Sequence, residues 1–327
     1  MEIESIENKK SLITGGLGLV GNNLARTLVH NGVIVSVLSK SLKNIQNISD
    51  IKDKIELIKG DVADYELIKK YAKDKEYIFH LAGQSSVPKS MENPMLDLQA
   101  NCMSTLNILE VCRKYNRTAK IVFSGTVRES GPIKSKYADG NHRENPTSIF
   151  DLHKLTSEKY LKIYSKSYGL KTTTLRFSNI FGDVQYDTDP NISVINHFIK
   201  MAIKNRKLQV YGDGGPLRDH NYVDNVVDAL MLAAQTNKTD GKHYVLGSGE
   251  GNSFFDFLIR LKHILEKEHG IKIEIKQVPT PEVVQKTAQG DVIVDFSQLN
   301  EDTGYNPRVT FDEGLNKTIE FYKNMLQ

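Results

Sequence analysis

The chain has only two cysteines, Cys102 and Cys112, in 327 residues. They lie ten apart in one amphipathic, helix-like stretch. That placement excludes a disulfide between them and predicts two reduced, structural thiols. Nine histidines are present, but none forms a paired spacing such as HxxxH, so no metal site is expected. No apolar run approaches the roughly 18 residues of a membrane span. The opening MEIESIENKK lacks the basic and then apolar profile of a secretory signal, which gives the expectation of a cytoplasmic protein without a membrane partner. Neither charge sign dominates: 43 Lys and Arg face 40 Asp and Glu, a formal net charge of +3 with the basic residues scattered among acids. No nucleic-acid partner is expected from that balance. Internal repeats, low-complexity linkers and long charge blocks are absent as well.

What is present is an alternation of short apolar strands with amphipathic helices. KKSLITGG leads through glycines into a helix whose Leu19, Val20, Leu24 and Leu28 recur at helical spacing. VIVSVL, KIELIKGDV, EYIFHLAG and AKIVFSG read as the next four strands, and YGLKTTTLRFSNIFG gives a sixth. LDLQANCMSTLNILEVCRKYN, between the fourth and fifth, reads as a long helix. Strands buried on both faces and separated by helices predict an α/β fold with a parallel, doubly wound (Rossmann) sheet.

The glycine turn TGGLGLVG gives that sheet a ligand. Gly16, Gly18 and Gly21 satisfy GxGxxG, and Gly15, Gly18 and Gly21 satisfy the three-residue spacing GxxGxxG. Glycine permits the tight turn and the close approach of backbone amides to a pyrophosphate, while the helix N-terminus adds partial positive charge. The turn follows a strand and opens a helix, the context that makes it a dinucleotide site. At the end of the second strand, where an acid would read the ribose 2′-hydroxyl of NAD, the chain has Ser39 followed by Lys40 and Lys43. The choice between NAD(H) and NADP(H) stays open, with a tilt toward NADP from those lysines.

With these residues in view, the chain resembles the extended short-chain dehydrogenase/reductase family of nucleotide-sugar epimerases, dehydratases and ketoreductases. TGGLGLVG is similar to the family's cofactor loop, GDVAD at 60–64 to its adenine-contacting turn, and HLAGQSSVPKSMENP at 80–94 to its strand and substrate loop. FSGTVRESG resembles the strand carrying the catalytic Ser or Thr, FDLHK resembles YxxxK, and RFSNIFG with VYGDGGPLRDHNYVDNVVDA resembles the nucleotide-sugar segments. The resemblance implies a Rossmann domain over residues 1–174, with later segments contributing a strand, and a smaller, mixed α/β nucleotide-sugar domain over 175–327. It implies cofactor contacts from Gly15, Gly18, Leu19, Val20, Gly21, Ser39, Lys40, Asp61, Val62, Leu81, Ala82, Gly83 and Lys154. Substrate contacts are implied for Gln84, Ser85, Thr126, Asn179, Tyr211 and Arg218, with Tyr222 and His197 as further candidates. A homodimer through helices near 95–115 and 150–168 is implied too.

The catalytic residues carried over are Thr126, Lys154 and the position of Phe150. In the family a tyrosine works with the lysine, because a phenol of pKa near 10 needs nearby positive charge to ionise at neutral pH. Phe150 has no proton to give. Three readings of it stay open: a tyrosine replaced on purpose, an acid/base relocated to Tyr137 or His153, or a homologue that binds without catalysis. Ser124 is an alternative hydroxyl to Thr126. Dehydratases of the family carry Asp-Glu just after the catalytic Thr, whereas Val127 and Arg128 stand here, which argues against a 4,6-dehydratase. The function this implies is C4 epimerisation of a nucleotide sugar through a 4-keto intermediate. The alternatives are a 4-dehydrogenase or 4-ketoreductase with exchangeable cofactor, and a non-catalytic binder. The apolar residues Val194, Phe198 and Met201 of the helix over 190–204 are expected to face the core.

Overall fold

β-branched and aromatic runs form the strands of this protein, and Gly or Asn turns punctuate them. The structure, a computed structural model, describes residues 5–133, 135, 137–184, 193–205, 207–212, 214–279 and 290–326. The first elements are β1 (Lys10–Thr14), α1 (Leu19–His30), β2 (Ile34–Ser39), β3 (Ile55–Lys59), α2 (Tyr65–Ala72) and β4 (Tyr77–His80). Next come α3 (Val87–Glu92), α4 (Pro94–Leu98), α5 (Ser104–Tyr115), β5 (Lys120–Thr126), α6 (Ile149–Tyr168) and β6 (Lys171–Phe177). The rest holds β7 (Asn179–Phe181), α7 (Val194–Asn205), β8 (Lys207–Tyr211), β9 (Arg218–Tyr222), α8 (Val223–Ala234) and β10 (Lys242–Leu246). It ends with β11 (Gly251–Asn252), α9 (Phe254–Glu268), β12 (Glu274–Val278), α10 (Ser297–Thr303) and α11 (Phe311–Leu326).

Seven strands make one sheet in the order β10-β6-β5-β4-β1-β2-β3, every pair parallel. Successive side chains of a strand face opposite ways, and both faces are apolar. Ile13, Phe79 and Val122 pack with α1 and α8, while their neighbours Leu12, Ile78 and Ile121 pack with α2, α5 and α6. The strand order reverses between β1 and β4, so a crevice opens at the carboxyl ends of these two strands, where ligands of such sheets bind. A third apolar core joins Phe181, Ile195, Ile199, Val210, Tyr222, Phe257, Leu261 and Leu315 beside that crevice. It supports a small sheet, β11-β9-β7, and the parallel pair β12-β8.

The helical rod from Pro94 to Tyr115 is interrupted by a π turn over Gln99–Met103. The widened turn leaves the Asn101 carbonyl accepting from three hydroxyls, Thr105 at 2.7 Å, Ser157 at 3.1 Å and Ser104 at 3.2 Å. Both cysteines are free and buried. Among the described residues no helix is long and apolar enough to cross a membrane, and no His, Cys, Asp and Glu group could hold a metal ion. On α7 the expected core stripe is corrected at one position: Val194 is 54% exposed, whereas Phe198 and Met201 pack, partly buried, against the third core beside the buried Ile195, Ile199 and Ala202. The helix is apolar on more than one face, so spacing alone did not choose between them.

Candidate active site

The glycine turn is built by close backbone contacts that leave no room for a side chain at Gly15 or Gly21. Gly15 has φ +72°, and a Cβ there would lie 2.8 Å from the backbone nitrogen of Ala82 at the end of β4. A Cβ on Gly21 would sit 2.4 Å from the Gly15 carbonyl oxygen, so helix and turn touch through bare backbone. Gly18 caps α1 without a side-chain bond, and the first turn holds no acid. The first intrahelical donor is Asn22 N–H, to Gly18 O at 3.0 Å, which leaves the amides of Leu19, Val20 and Gly21 ahead of it. Asn22 fixes that turn by donating its side-chain amide to the carbonyls of Gly18 and Leu19 at 2.6 and 2.9 Å. Such an uncapped positive end beside a crevice fits the pyrophosphate of a dinucleotide. At the tip of β2, Ser39 donates to Ser41 O at 2.9 Å, while Lys40 is paired with Asp61 at 2.7 Å. Partial burial works to raise the Asp61 carboxyl, but the bonds from Lys40 and Ala63 N–H hold it below its ordinary value. Val62 is buried, and its carbonyl accepts from Asn107.

Across the switch point, Thr14 and His80 end β1 and β4 side by side and bond at 2.8 Å. His80 also meets the Thr105 hydroxyl at 3.1 Å, and burial followed by the charge of Lys154 pushes its pKa down to about 3, so it is a neutral spacer. Leu81, Ala82 and Gly83 continue from it toward Lys154. A Cβ on Gly83 would come within 2.5 Å of Asn101 Oδ1 and 3.5 Å of Lys154 Nζ. Lys154 is buried on α6, donates to Ser124 O at 2.7 Å and lies 4.5 Å from the Phe123 ring centroid. Burial lowers its pKa to about 8 against the raising effects of Glu129, Asp97 and Cys102. Thr126 ends β5, buried, with its hydroxyl accepting from Arg128 N–H at 3.3 Å and its own N–H donating to Glu129 Oε1 at 3.0 Å. Ser124 instead turns its hydroxyl to His80 O, at 3.3 Å, so it is engaged inside the sheet.

Phe150 is 6% exposed at the head of α6, and its N–H donates to Ser90 Oγ at 3.1 Å. His153 is held by Asp97, Nδ1 to Oδ1 at 2.6 Å, and Asp97 is fully buried. Asp97 also accepts from Gln84 at 2.7 Å and Asn101 at 3.1 Å, which fastens the loop after β4 to α4. Ser85, on that loop, is exposed, and Tyr137 is 43% exposed on the loop ahead of α6. Arg128 donates to the buried Asp151 at 2.9 Å. Below Thr126, Arg176 is fully buried against Glu158 at 2.6 Å and Glu129 at 3.2 Å, a charged cluster that sequence reading missed. Burial, and then the charge of Glu158, raise the Glu129 carboxyl well above its ordinary value.

Beyond Thr126 a cavity of about 370 Å³ brings together Asn179, Ser193, Val194, Arg218, His220 and Phe254. Arg218 donates to the carbonyls of Leu217 and Gly290 at 2.9 and 2.8 Å, which aims its guanidinium. Tyr211 is 48% exposed and His197 is exposed, and neither lines the cavity; Tyr222 is buried in the third core. Ser193, His220 and Phe254 are cavity residues that sequence reading did not single out.

Residues 11–247 match the model of the NAD dependent epimerase/dehydratase family. A UDP-glucose 4-epimerase of Mycolicibacterium smegmatis is 29% identical, over 97% of this chain and 100% of its own. The UDP-glucose 4-epimerase of Thermotoga maritima, solved with UDP-glucose, superposes with a TM-score of 0.85 at 28% identity, covering 97% of this chain and 100% of that one. The Thermus thermophilus UDP-glucose 4-epimerase, solved with NAD, gives 0.82 at 27% identity over 96% and 99%. A family match over more than half of the chain, together with the glycine turn at the switch point and Lys154 beside it, means that this protein belongs to the NAD dependent epimerase/dehydratase family.

Proposed function

We propose that the protein epimerises C4 of a nucleoside-diphosphate hexose by way of a 4-keto sugar, with NAD(H) retained in the crevice. The observation that carries this reading is the line of three sites along the carboxyl edge of the sheet: the uncapped start of α1, the Thr126–Lys154 centre, and the cavity with Arg218. When bound, the nicotinamide would accept the hydride from C4 and return it, and the 4-hydroxyl proton would pass to water, since Phe150 has no group to take it. Arg218 holds the diphosphate, since a guanidinium fork suits that charge and shape. The Thr126 hydroxyl, which accepts from Arg128 N–H, would give its own proton to a hydrogen bond with the substrate. The Lys154 ammonium, fixed by Ser124 O, hydrogen-bonds the cofactor ribose. NAD rather than NADP is favoured because Asp61 neutralises Lys40, the cation that a 2′-phosphate needs.

Phe150 supports a second reading, a nucleotide-sugar binder without turnover. Restoring the phenol separates the two. F150Y should raise turnover of a UDP-, GDP-, dTDP- or CDP-hexose by about 100-fold to 10,000-fold, the worth of a positioned acid/base group. No product with any of these from either form would remove the epimerase reading. Denaturing the protein and assaying the released cofactor tests retention: NAD(H) without added cofactor supports the epimerase, and turnover only with added NADPH supports a 4-ketoreductase. The exposed apolar residues Met95, Met103, Leu152 and Ile163 on α4 to α6 support a homodimer through that face. The division into a cofactor domain and a substrate domain near residue 174 belongs to the same proposal.

A further inference from the structure

The cavity beyond Thr126 contains a histidine that the proposed chemistry does not use. Along β9 side chains alternate. Asp219 turns to one side and accepts from the amides of Ser248, Gly249 and Val294 at 2.8, 2.9 and 3.1 Å. Asn221, on the same side, bonds Tyr305 at 3.1 Å. Arg218 and His220 therefore share the opposite side, the one that lines the cavity, and His220 stands in register with Asn179 of β7. The imidazole is 8% exposed and stacks on Phe311 of α11, with centroids 5.8 Å apart and planes at 24°. Burial, then the charge of Arg218, lowers its pKa to about 4, so the ring is neutral around pH 7.

The charges around this ring are unbalanced in one direction. Arg218 is the cation on its own strand, itself subject to the opposed charges of Asp291 and Arg128, and Asp219 faces away. On the Phe311 side, Arg260 lies 5.7 Å from that ring and is paired with Asp312 at 3.0 Å. β7 offers the neutral Asn179, and α7 and α9 offer Ser193, Val194 and Phe254. No carboxylate bonds the His220 ring among the described residues. An anion held by Arg218 would offset the guanidinium's repulsion and add negative charge beside the imidazole. Both changes favour the protonated ring.

We infer that His220 contacts the diphosphate of a nucleoside-diphosphate sugar and takes up a proton as the ligand seats, so that affinity rises as the solution is acidified. This rests on the nucleotide-sugar reading above. The test uses UDP-glucose, whose diphosphate is doubly esterified and does not itself titrate near neutrality, added to the full-length protein saturated with NAD. Calorimetry at pH 7 in two buffers of different ionisation heat counts the protons. Uptake should be a substantial fraction of one proton, and Kd should fall at least about threefold from pH 8 to pH 6, within the ceiling of about tenfold per pH unit for one proton. H220F keeps the stack on Phe311 and H220Q keeps a hydrogen-bonding side chain, and both should lose the uptake and flatten the Kd profile. Lys154 also titrates near this range but is unchanged in both variants, so the difference from the parent isolates the imidazole. Thermal melts of both variants show whether they are folded. Binding by the parent without uptake, or uptake undiminished in both variants, overturns the inference and leaves the nucleotide-sugar reading standing. Failure of UDP-, GDP-, dTDP- and CDP-sugars to bind at all overturns both.

Discussion

The two ends of the crevice are built by opposite means, and on the proposed reading each would hold phosphate. At the α1 end the site is backbone: glycines bring the turn, the helix start and the end of β4 into contact, and the positive charge is that of amides. At the β9 end it is made of side chains, with Arg218 and His220 from one strand, Asn179 from another and Phe254 from a helix. The first design is intolerant of any added atom but needs little from distant sequence. The second tolerates change in the residue types but depends on three separate elements arriving together.

The largest effect should come from adding one methyl group to the backbone-built end. G21A places its Cβ against the Gly15 carbonyl, which has no rotamer to escape into. We expect loss of NAD binding in a fluorescence titration and destabilisation of about 3 kcal/mol in urea unfolding. Unchanged NAD affinity would break the contrast between the ends. Lys154, between them, is next. Its folded pKa of about 8 lies below the ordinary lysine value. From about pH 8 up to about 10.5 the unfolded chain therefore binds more protons, and stability rises with pH across that window; below it the full cost of burying the charge remains. K154M should remove that rise, on the order of 2 to 3 kcal/mol, when denaturation at pH 7 and pH 10 is compared with the parent protein. The same titration predicts that turnover by the F150Y form declines on the alkaline side near pH 8.

At the side-chain end, R218M should weaken UDP-glucose binding by about 10-fold to 100-fold, the worth of a charged hydrogen bond of roughly 1.5 to 3 kcal/mol, while leaving NAD affinity alone. A matching loss of NAD affinity would mean that the two ends are not independent. Smallest of all is K40A. Its pair with Asp61 is largely solvated, so stability should change by less than about 1 kcal/mol. NAD and NADP affinities measured side by side then show whether Lys40 selects the cofactor.

That same contrast explains what could be read from the amino-acid order. The parallel sheet and the glycine turn were legible because alternating apolar strands, helical spacing and clustered glycines are local patterns, whereas Lys154 was named through the resemblance of FDLHK to YxxxK. The π turn at Gln99–Met103 left no such trace: besides the local hydroxyls of Ser104 and Thr105, the Asn101 carbonyl takes a third from Ser157 on α6, a partner that no local pattern announces. Val194 was misjudged because it and Ile195 are equally apolar and both border the cavity, and only the packing of Ile195 into the third core tells them apart. His220 was passed over since its partners, Asn179, Phe254 and Phe311, lie far along the chain from it. The cluster of Arg176 with Glu129 and Glu158 was hidden for the same reason.

Strand β10 has a consequence for how the chain is made. It completes the main sheet by pairing outside β6, although residues of the other apolar core are synthesised between the two. Until residue 246 has left the ribosome, the backbone groups of Lys171–Phe177 form an open sheet edge, a template for pairing with another chain. Nascent protein stalled before that point is the species most prone to aggregate, and a chaperone that shields exposed strands would act in that interval.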